Sequence, residues 1–434
     1  MAWDFGTDPD YQSKLDWVAD FVREEVQPLE YVLGHPSDVR DPRRNALVRP
    51  LQQEVRRQGL WACHLGPELG GQGYGQVKLA LLNEILGGAM YGPTVFGCQA
   101  PDSGNAEILA HYGTPEQKAR YLEPLLANEI VSCFAMTEPQ GGADPGVFTT
   151  RAVREGDNWV ISGEKWFASH ARYAEFLIVM AVTDPDAPLM RRMSMFIVPA
   201  DAPGLEIVHN YGFATEKEPN HGHLKFDRVK VPLDAMLGRE GDAFVVAQVR
   251  LGGGRIHHAM RTIGEARRAL DMMCERVISR STKGERLADK QMVQEKIADS
   301  WIELEQFRLL VLRTAWLVDQ KKDYKQVRKD ISAIKAAMPR VLHDIATRAL
   351  HLHGSLGITE EMPFTHLVMQ SFHMGLADGP VEVHKVTVAR QLLREYTPSG
   401  SQFPDYHLQT RREAALAKYG KALEAVGSTA GRAS

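Results

Sequence analysis

The sequence predicts an α+β, multi-domain fold. An N-terminal helical domain (1–130) is followed by a central antiparallel β-barrel or sandwich (131–242), a C-terminal helical bundle (243–398) and a partly helical tail (399–434). Three observations carry that expectation. Apolar residues recur at helical spacing from Tyr11 to about Glu129, and the period changes at Val131 to short runs rich in β-branched and aromatic residues. From Ala243 helical spacing returns in long segments.

In the first part, Leu15, Val18, Phe21 and Val22 form one apolar stripe, and Leu47, Leu51 and Val55 begin another. A glycine-rich loop, Gly66 to Gly75, interrupts; it lacks the Gly-Lys-Ser/Thr ending of a phosphate cradle. Helical spacing resumes at Leu79, Leu82, Ile85 and Leu86. Thr114, Pro115 and Gln117 read as a capped helix start. In the second part, Asn158–Gly163, Phe176–Val182, Met193–Val198 and His223–Val231 read as strands punctuated by Gly, Pro, Asp and Asn. In the third, Ile331, Ile334, Met338, Val341, Ile345 and Leu352 define one helix face that closes at Gly354, and Pro339 is expected to kink or break that helix. Tyr406 to Leu423 reads as a charged helix in need of a packing partner, and Gly427 to Ser434 as disordered.

Composition bounds the function. Apolar residues make up 44%, charged residues 24%, and the net charge is −4, which excludes charge-driven nucleic-acid binding. Four scattered cysteines (Cys63, Cys98, Cys133, Cys274) suggest neither a zinc site nor a disulfide frame. No segment approaches the roughly 18–20 apolar residues of a membrane span. The acidic start, Met1 to Asp8, has neither a signal-peptide core nor an arginine-rich transit pattern, so a cytoplasmic location is expected. His351 and His353 invite a metal reading, but no carboxylate or cysteine lies at ligand spacing, and i, i+2 side chains on a helix diverge. His257 and His258 fail on the same ground, and no metal is expected.

The candidate chemistry centres on Ala377-Asp378-Gly379-Pro380. Gly379 supplies permissive backbone and Pro380 suits a first helical position, placing Asp378 at a helix N-terminus. The dipole there favours the anion, and burial under a ligand favours the neutral acid. Such a tunable carboxylate suits a general base for C–H chemistry. Taken alone, the stretch is better read as an aspartate that merely stabilises its helix.

In order and spacing, this turn and several further segments resemble the acyl-CoA dehydrogenases, from about Tyr11 to Tyr396. Most of that family carries Tyr-Glu-Gly-Thr at the turn; the aspartate here is similar to a subfamily that uses it as base. Gln99-Ala100-Pro101-Asp102-Ser103-Gly104-Asn105 also resembles that subfamily, with Gln99 and Asp102 implied near the substrate. The segment Cys133 to Asp144 resembles the flavin-edge signature: Phe134, Met136, Thr137 and Gly142 toward the isoalloxazine, and Ala143, commonly serine, toward the pantetheine-pyrophosphate arm. In Gly163-Glu164-Lys165-Trp166-Phe167-Ala168-Ser169, Phe167 takes the place of the aromatic on the flavin face. Ser169 takes that of the hydroxyl bonding the hydride-accepting nitrogen. Arg280, Thr282 and Gln291 match the residues that reach the cofactor of a second subunit, although a charged helix end explains Arg280–Gly284 as well. His351, Gly354 and Ser355 match the adenosine side, and Gly379 and Glu382 the turn beside the cofactor. A minority of the family keeps its base where Gly254 stands here, before Arg255; glycine takes no proton, which leaves Asp378, with Arg255 near the substrate or steadying the turn. Being one methylene shorter than glutamate, the aspartate needs substrate or turn about 1.5 Å closer.

The resemblance implies an FAD enzyme of the fatty-acid β-oxidation type, introducing a trans-2,3 double bond into an acyl-CoA. Asp378 removes the pro-R α-proton, and electrons pass to an electron-transferring flavoprotein. It further implies a homodimer or homotetramer, and unusual or hydroxylated acyl chains. Two other readings stay open: an oxidase of the same fold using oxygen, and a non-catalytic acyl-CoA-binding protein.

Overall fold

The computed structural model describes residues 6–67, 71–216 and 218–430, side chains of 427–430 excepted. The acidic first five residues and positions 68–70 of the glycine-rich loop lie outside them. The chain forms two compact units, one up to Val388 and one from Ala389.

The N-terminal part holds helices α1 (Pro9–Phe21), α2 (Pro42–Arg57), α3 (Gln76–Leu86), α4 (Gly92–Val95), α5 (Asp102–Tyr112), α6 (Pro115–Gln117) and α7 (Glu123–Leu126). The capping box before α6 is present, with Thr114 Oγ1 accepting from the Gln117 N–H and Gln117 Oε1 from the Thr114 N–H. The α2 stripe differs from expectation. Val48, Gln52 and Val55 are buried while Leu47 is exposed, because Gln52 reaches inward to the Thr94 carbonyl and to Asn128 and so turns the helix by one position.

An eight-stranded sheet follows: β1 (Ser132–Ala135), β2 (Arg151–Glu155), β3 (Asn158–Ser169), β4 (Phe176–Val182), β5 (Met193–Pro199), β6 (Leu205–Tyr211), β7 (His221–Pro232) and β8 (Met236–Leu237). The order is β6-β7-β3-β2-β4-β5-β8, with β1 beside β4. Most pairs are antiparallel as expected; β1 and β2 run parallel to β4. Strand β4 is buried on both faces. Phe176, Ile178, Met180 and Val182 join a core with α5 and the following long helix, whereas Leu177, Val179 and Ala181 join Trp159, Leu224 and Val229 inside the sheet. Double burial is why β4 reads as an unbroken apolar run. The exposed strands β2 and β6 carry no such run and escaped the sequence reading.

The helical bundle comprises α8 (Ala243–Ser279), α9 (Gln291–Lys321), α10 (Arg328–His353), α11 (Phe364–Leu376) and α12 (Val381–Leu393), with a small hairpin, β9 (Ser281–Thr282) and β10 (Glu285–Arg286), between α8 and α9. Helices α3 and α8 meet through glycines: a Cβ at Gly264 would lie 2.1 Å from the Glu84 carbonyl oxygen. Pro339 leaves α10 continuous, and Gly354 ends it with φ +65° as expected of a cap. The second unit carries α13 (Leu408–Ala430), longer than predicted. Residues 427–430, expected to be irregular, are helical, since propagation of an existing helix is cheap; 431–434 lie outside the described residues.

Candidate active site

Helix α11 ends as the Ala377 N–H bonds the His373 carbonyl, and the chain then turns sharply, with φ +55° at Asp378 and +106° at Gly379. Aspartate is among the residues that tolerate this left-handed geometry. Pro380 stands one position ahead of the first helical residue rather than at it, and its carbonyl accepts from the Val383 N–H. The dipole of α12 is therefore a weaker influence on Asp378 than the sequence suggested.

Side chains of the bundle act on it instead. Asp378 is 14% exposed; Arg250 Nη1 lies 3.4 Å from Oδ1 and His258 Nε2 3.6 Å from Oδ2. Burial alone would raise its pKa, but Arg250, His258, Arg255 and Lys335 together bring it below the ordinary aspartate value. Arg255 Nε donates to the Asp378 carbonyl at 2.9 Å, and His384 Nε2 sits 3.3 Å from the same oxygen. Arg255 thus holds the turn, the second of the two places expected for it. Lys335 is buried, donates to the Met374 carbonyl, and has its pKa pulled down to about 8 by burial.

Positions 250, 254 and 258 of α8 are four apart and form one stripe toward the carboxylate. A Cβ at Gly254 would lie 3.2 Å from Asp378 Oδ2. The missing side chain lets turn and helix approach, the closeness that a short aspartate needs. Sequence reasoning found 254 and 255 but passed over Arg250, His258, Lys335 and His384; the spacing of four was the signal for the first two.

The opposite wall comes from the sheet. Strand β1 ends at Ala135, two residues before the expected Thr137, whose carbonyl accepts from the Trp166 N–H at 2.8 Å. Behind it, Glu138 and Lys165 form a fully buried ion pair at 2.8 Å. Glu138 also accepts from the Thr149 and Thr150 N–H groups, and Lys165 donates to the Met136 carbonyl. The Glu-Pro of this segment is thus an anchor that fixes Met136 and Thr137 against β3, a role that the sequence did not reveal.

Phe167 has φ +50°, is 43% exposed, and stacks on Trp166 at 4.9 Å. Ser169 Oγ lies 2.9 Å from His221 Nδ1. Two contacts join the walls: the Arg250 guanidinium lies 4.2 Å over the Phe134 ring, and Phe213 bridges His221 (4.2 Å) and His373 (4.5 Å). A planar redox ring fits these residues. An aromatic face is held outward in a strained backbone, the buried Trp166 Nε1 has no partner, and a Cβ at Gly142 would meet only Thr137 Cγ2, at 3.6 Å. Gly142 and Ala143 are exposed at the rim.

The remaining expected residues lie elsewhere. Asp102 is buried, with Oδ1 accepting from the Ser132 N–H and hydroxyl and Oδ2 from Gln99 Nε2 at 3.2 Å. It clamps α5 to β1, and burial raises its pKa to about 6. A substrate role for Asp102 is withdrawn, because both its oxygens are engaged internally. Gln99 keeps Oε1 buried and unpartnered. Arg280 caps α8, 26 residues beyond Gly254 and so about 39 Å along the axis. His351 is 16 residues beyond Lys335 on α10, about 24 Å. Arg276 lies within electrostatic reach of His353, so Arg280, Thr282, Gln291, His351, Gly354 and Ser355 gather at the far end of the bundle, exposed. Glu382 is exposed in the first turn of α12. No group of three or more potential metal ligands occurs among the described residues, and no described helix is long and apolar enough to cross a membrane.

Comparison with known proteins places this geometry. The N-terminal, middle and C-terminal domains of acyl-CoA dehydrogenase match residues 8–129, 133–229 and 241–393. The chain is 39% identical to the probable acyl-CoA dehydrogenase FadE2 of Mycobacterium tuberculosis over 405 residues, 89% of this chain and 95% of that one. It spans 37% to 50% of the length of several other curated relatives. The structure of a putative acyl-CoA dehydrogenase from Mycobacterium abscessus superposes with a TM-score of 0.83 at 37% identity, covering 90% of this chain and all of that one. A glutaryl-CoA dehydrogenase of Mycobacterium smegmatis in complex with FADH2 shares the fold at a TM-score of 0.74 and 24% identity, over 91% of this chain and 97% of that one. With three domains matched in order and a curated relative matched over nearly its whole length, the chain belongs to the acyl-CoA dehydrogenase family, FAD-dependent oxidoreductases acting on CH–CH groups.

Proposed function

We propose that the protein desaturates an acyl-CoA thioester between C2 and C3, with Asp378 as the base, as in the aspartate subfamily. The observation that carries this reading is the Asp378 carboxylate lying against the glycine at 254. FAD, when bound, supplies the acceptor for the hydrogen and electron pair leaving the β-carbon. Asp378 takes the α-proton, and its turn, held by Arg255 and His384, presents a backbone N–H to the thioester carbonyl as charge develops there. The acyl chain displaces the water that reaches the carboxylate, strengthening each of these interactions.

The tail of the acyl group extends into a cavity of about 360 Å³ lined by His64, Gln76, Asp319 and Tyr324. Tyr324 closes on Gly253, whose Cβ would lie 3.5 Å from its hydroxyl and 2.9 Å from Glu107 Oε2. Burial raises the Glu107 pKa to about 8, so at neutral pH it is an uncharged donor. The polar groups among the lining residues, His64, Gln76, Asp319 and Tyr324 beside apolar Leu65 and Val318, favour a tail bearing a hydrogen-bonding group over a plain alkyl chain. Assembly as a homodimer or homotetramer, with Arg280 and Thr282 reaching a neighbour's cofactor, and electron transfer to an electron-transferring flavoprotein complete the proposal.

Anaerobic titration of the FAD-bound protein with a panel of plain and hydroxylated acyl-CoAs tests it. Bleaching of the flavin band is expected, and a spectrum unmoved by every thioester would defeat the reading. Oxygen uptake with peroxide release, without added acceptor, would favour the oxidase.

A further inference from the structure

Behind Ser169 lies a chain of polar groups that the proposed chemistry does not use. His221 opens β7 and is 4% exposed. Its Nδ1 lies 2.9 Å from Ser169 Oγ and its Nε2 3.3 Å from Glu216 Oε1, while Glu216 Oε2 accepts from the Phe213 N–H at 2.9 Å. Three further imidazoles surround it: His373 from α11, 5.8 Å ring to ring, and His170 and His35 beyond Ser169. Burial keeps all three below the ordinary histidine range, His373 at about 4, so each is neutral near pH 7. Glu216 keeps its charge despite burial, because His221 and the Phe213 N–H bond to it. The charged partner of His221 in this nest is therefore the carboxylate.

Hydrogen-bond counting gives the consequence. A carboxylate only accepts, so neutral His221 carries its proton on Nε2 and offers a lone pair at Nδ1. Ser169 has a single O–H, which it must give to Nδ1, leaving only lone pairs for whatever it faces in the site. Protonated His221 donates from both nitrogens and releases the Ser169 O–H to point the other way.

We propose that His221, held by Glu216, is a positioning residue that sets whether the Ser169 hydroxyl donates to or accepts from the redox edge of the flavin. The inference rests on the reading that Ser169 faces that edge. A ring nitrogen that accepts a hydrogen bond in the oxidised cofactor carries hydrogen in the two-electron-reduced one. An acceptor at His221 Nδ1 therefore favours the reduced cofactor, and a donor at that position favours the oxidised one.

The test is a spectroelectrochemical titration of the FAD-bound protein against a redox dye, without substrate. Removing the Nδ1 acceptor in His221→Phe is expected to shift the oxidised-to-reduced ratio at fixed dye potential about three- to tenfold toward oxidised, the worth of one hydrogen bond. Glu216→Gln, which leaves Ser169 and His221 in place but can donate to Nε2, is expected to shift it the same way. His221→Asn keeps a hydrogen-bonding atom near Nδ1, so it is expected to stay near the native ratio. If Ser169→Ala shifts the ratio while His221→Phe and Glu216→Gln leave it unmoved, the proposal is overturned and the placement of Ser169 survives. If Ser169→Ala also leaves it unmoved, the placement of Ser169 fails and the proposal with it.

Discussion

The two ends of the long helix α8 make opposite use of charge. Around Gly254, Arg250, Arg255 and His258 converge on one buried carboxylate supported by its own chain. About 39 Å away, Arg280 at the end of α8 and Thr282 on the short hairpin that follows stand exposed. Large apolar side chains are exposed near that end as well, Ile278, Met292 and Trp301 among them. A carboxylate proposed as a base needs desolvation and fixed neighbours, and Asp378 has both from a single chain. Phosphate recognition needs a fork of donors, and an exposed arginine completes its site with atoms from elsewhere. As proposed, the first end is complete within one chain, and the second needs a neighbouring subunit.

Breaking the first end should produce the largest effect. Asp378→Asn keeps the volume and the turn but removes the proton acceptor, and turnover is expected to fall about 10²- to 10⁴-fold with FAD content unchanged. Stopped-flow reduction by acyl-CoA measures it, and near-native rates would move the base elsewhere. The wall opposite depends on a different buried charge. Lys165→Met strands Glu138 without its cation at full burial, and a loss of about 3–5 kcal/mol is expected in urea unfolding. A small loss would mean that the hydrogen bonds from the Thr149 and Thr150 N–H groups and the Thr149 hydroxyl carry the anchor alone.

These two sites were legible to different degrees. Asp378, Gly254 and Arg255 were singled out through the family resemblance, since the turn alone reads as a helix-stabilising aspartate; the structure brings the three together. Strand β4 was readable because burial on both faces leaves only apolar residues. His258 and Arg250 were not, since their meaning comes from a carboxylate more than a hundred residues away in sequence. Asp102 was misread for a related reason: proximity in sequence to a ligand-like motif says nothing of Ser132, which takes its oxygen. Glu138 looked like part of a cofactor signature and proves to be the pin behind it.

At the second end the effect should be smaller and of another kind. Arg280→Ala removes a charge-assisted contact worth about 1.5–3 kcal/mol, so FAD should bind about ten- to a hundredfold more weakly while the turnover of fully loaded protein is retained. Equilibrium dialysis against FAD reads the first quantity. Unchanged affinity would mean that this end of the bundle does not meet a cofactor.

The smallest change probes how the first end balances its charges. Burial pushes Asp378 toward the neutral acid, and Arg250, His258, Arg255 and Lys335 pull it the other way, with the net result below the ordinary value. Not all four act as charges. Burial, with Arg261 adding to it, holds His258 at about 3, so near neutral pH it is an uncharged ring beside Oδ2, and the nearest full charge is Arg250. The base works only when deprotonated, so the acidic limb of kcat/KM follows its pKa in the free enzyme. Arg250→Gln leaves desolvation less opposed and should move that limb to higher pH, whereas Arg250→Lys should leave it near its native position. His258→Gln should move it less than Arg250→Gln, because His258 ranks behind Arg250 among the groups that hold the carboxylate charged. An acidic limb indifferent to Arg250→Gln would show that it belongs to another group, and that the carboxylate is held by the geometry of its turn rather than by the charges around it.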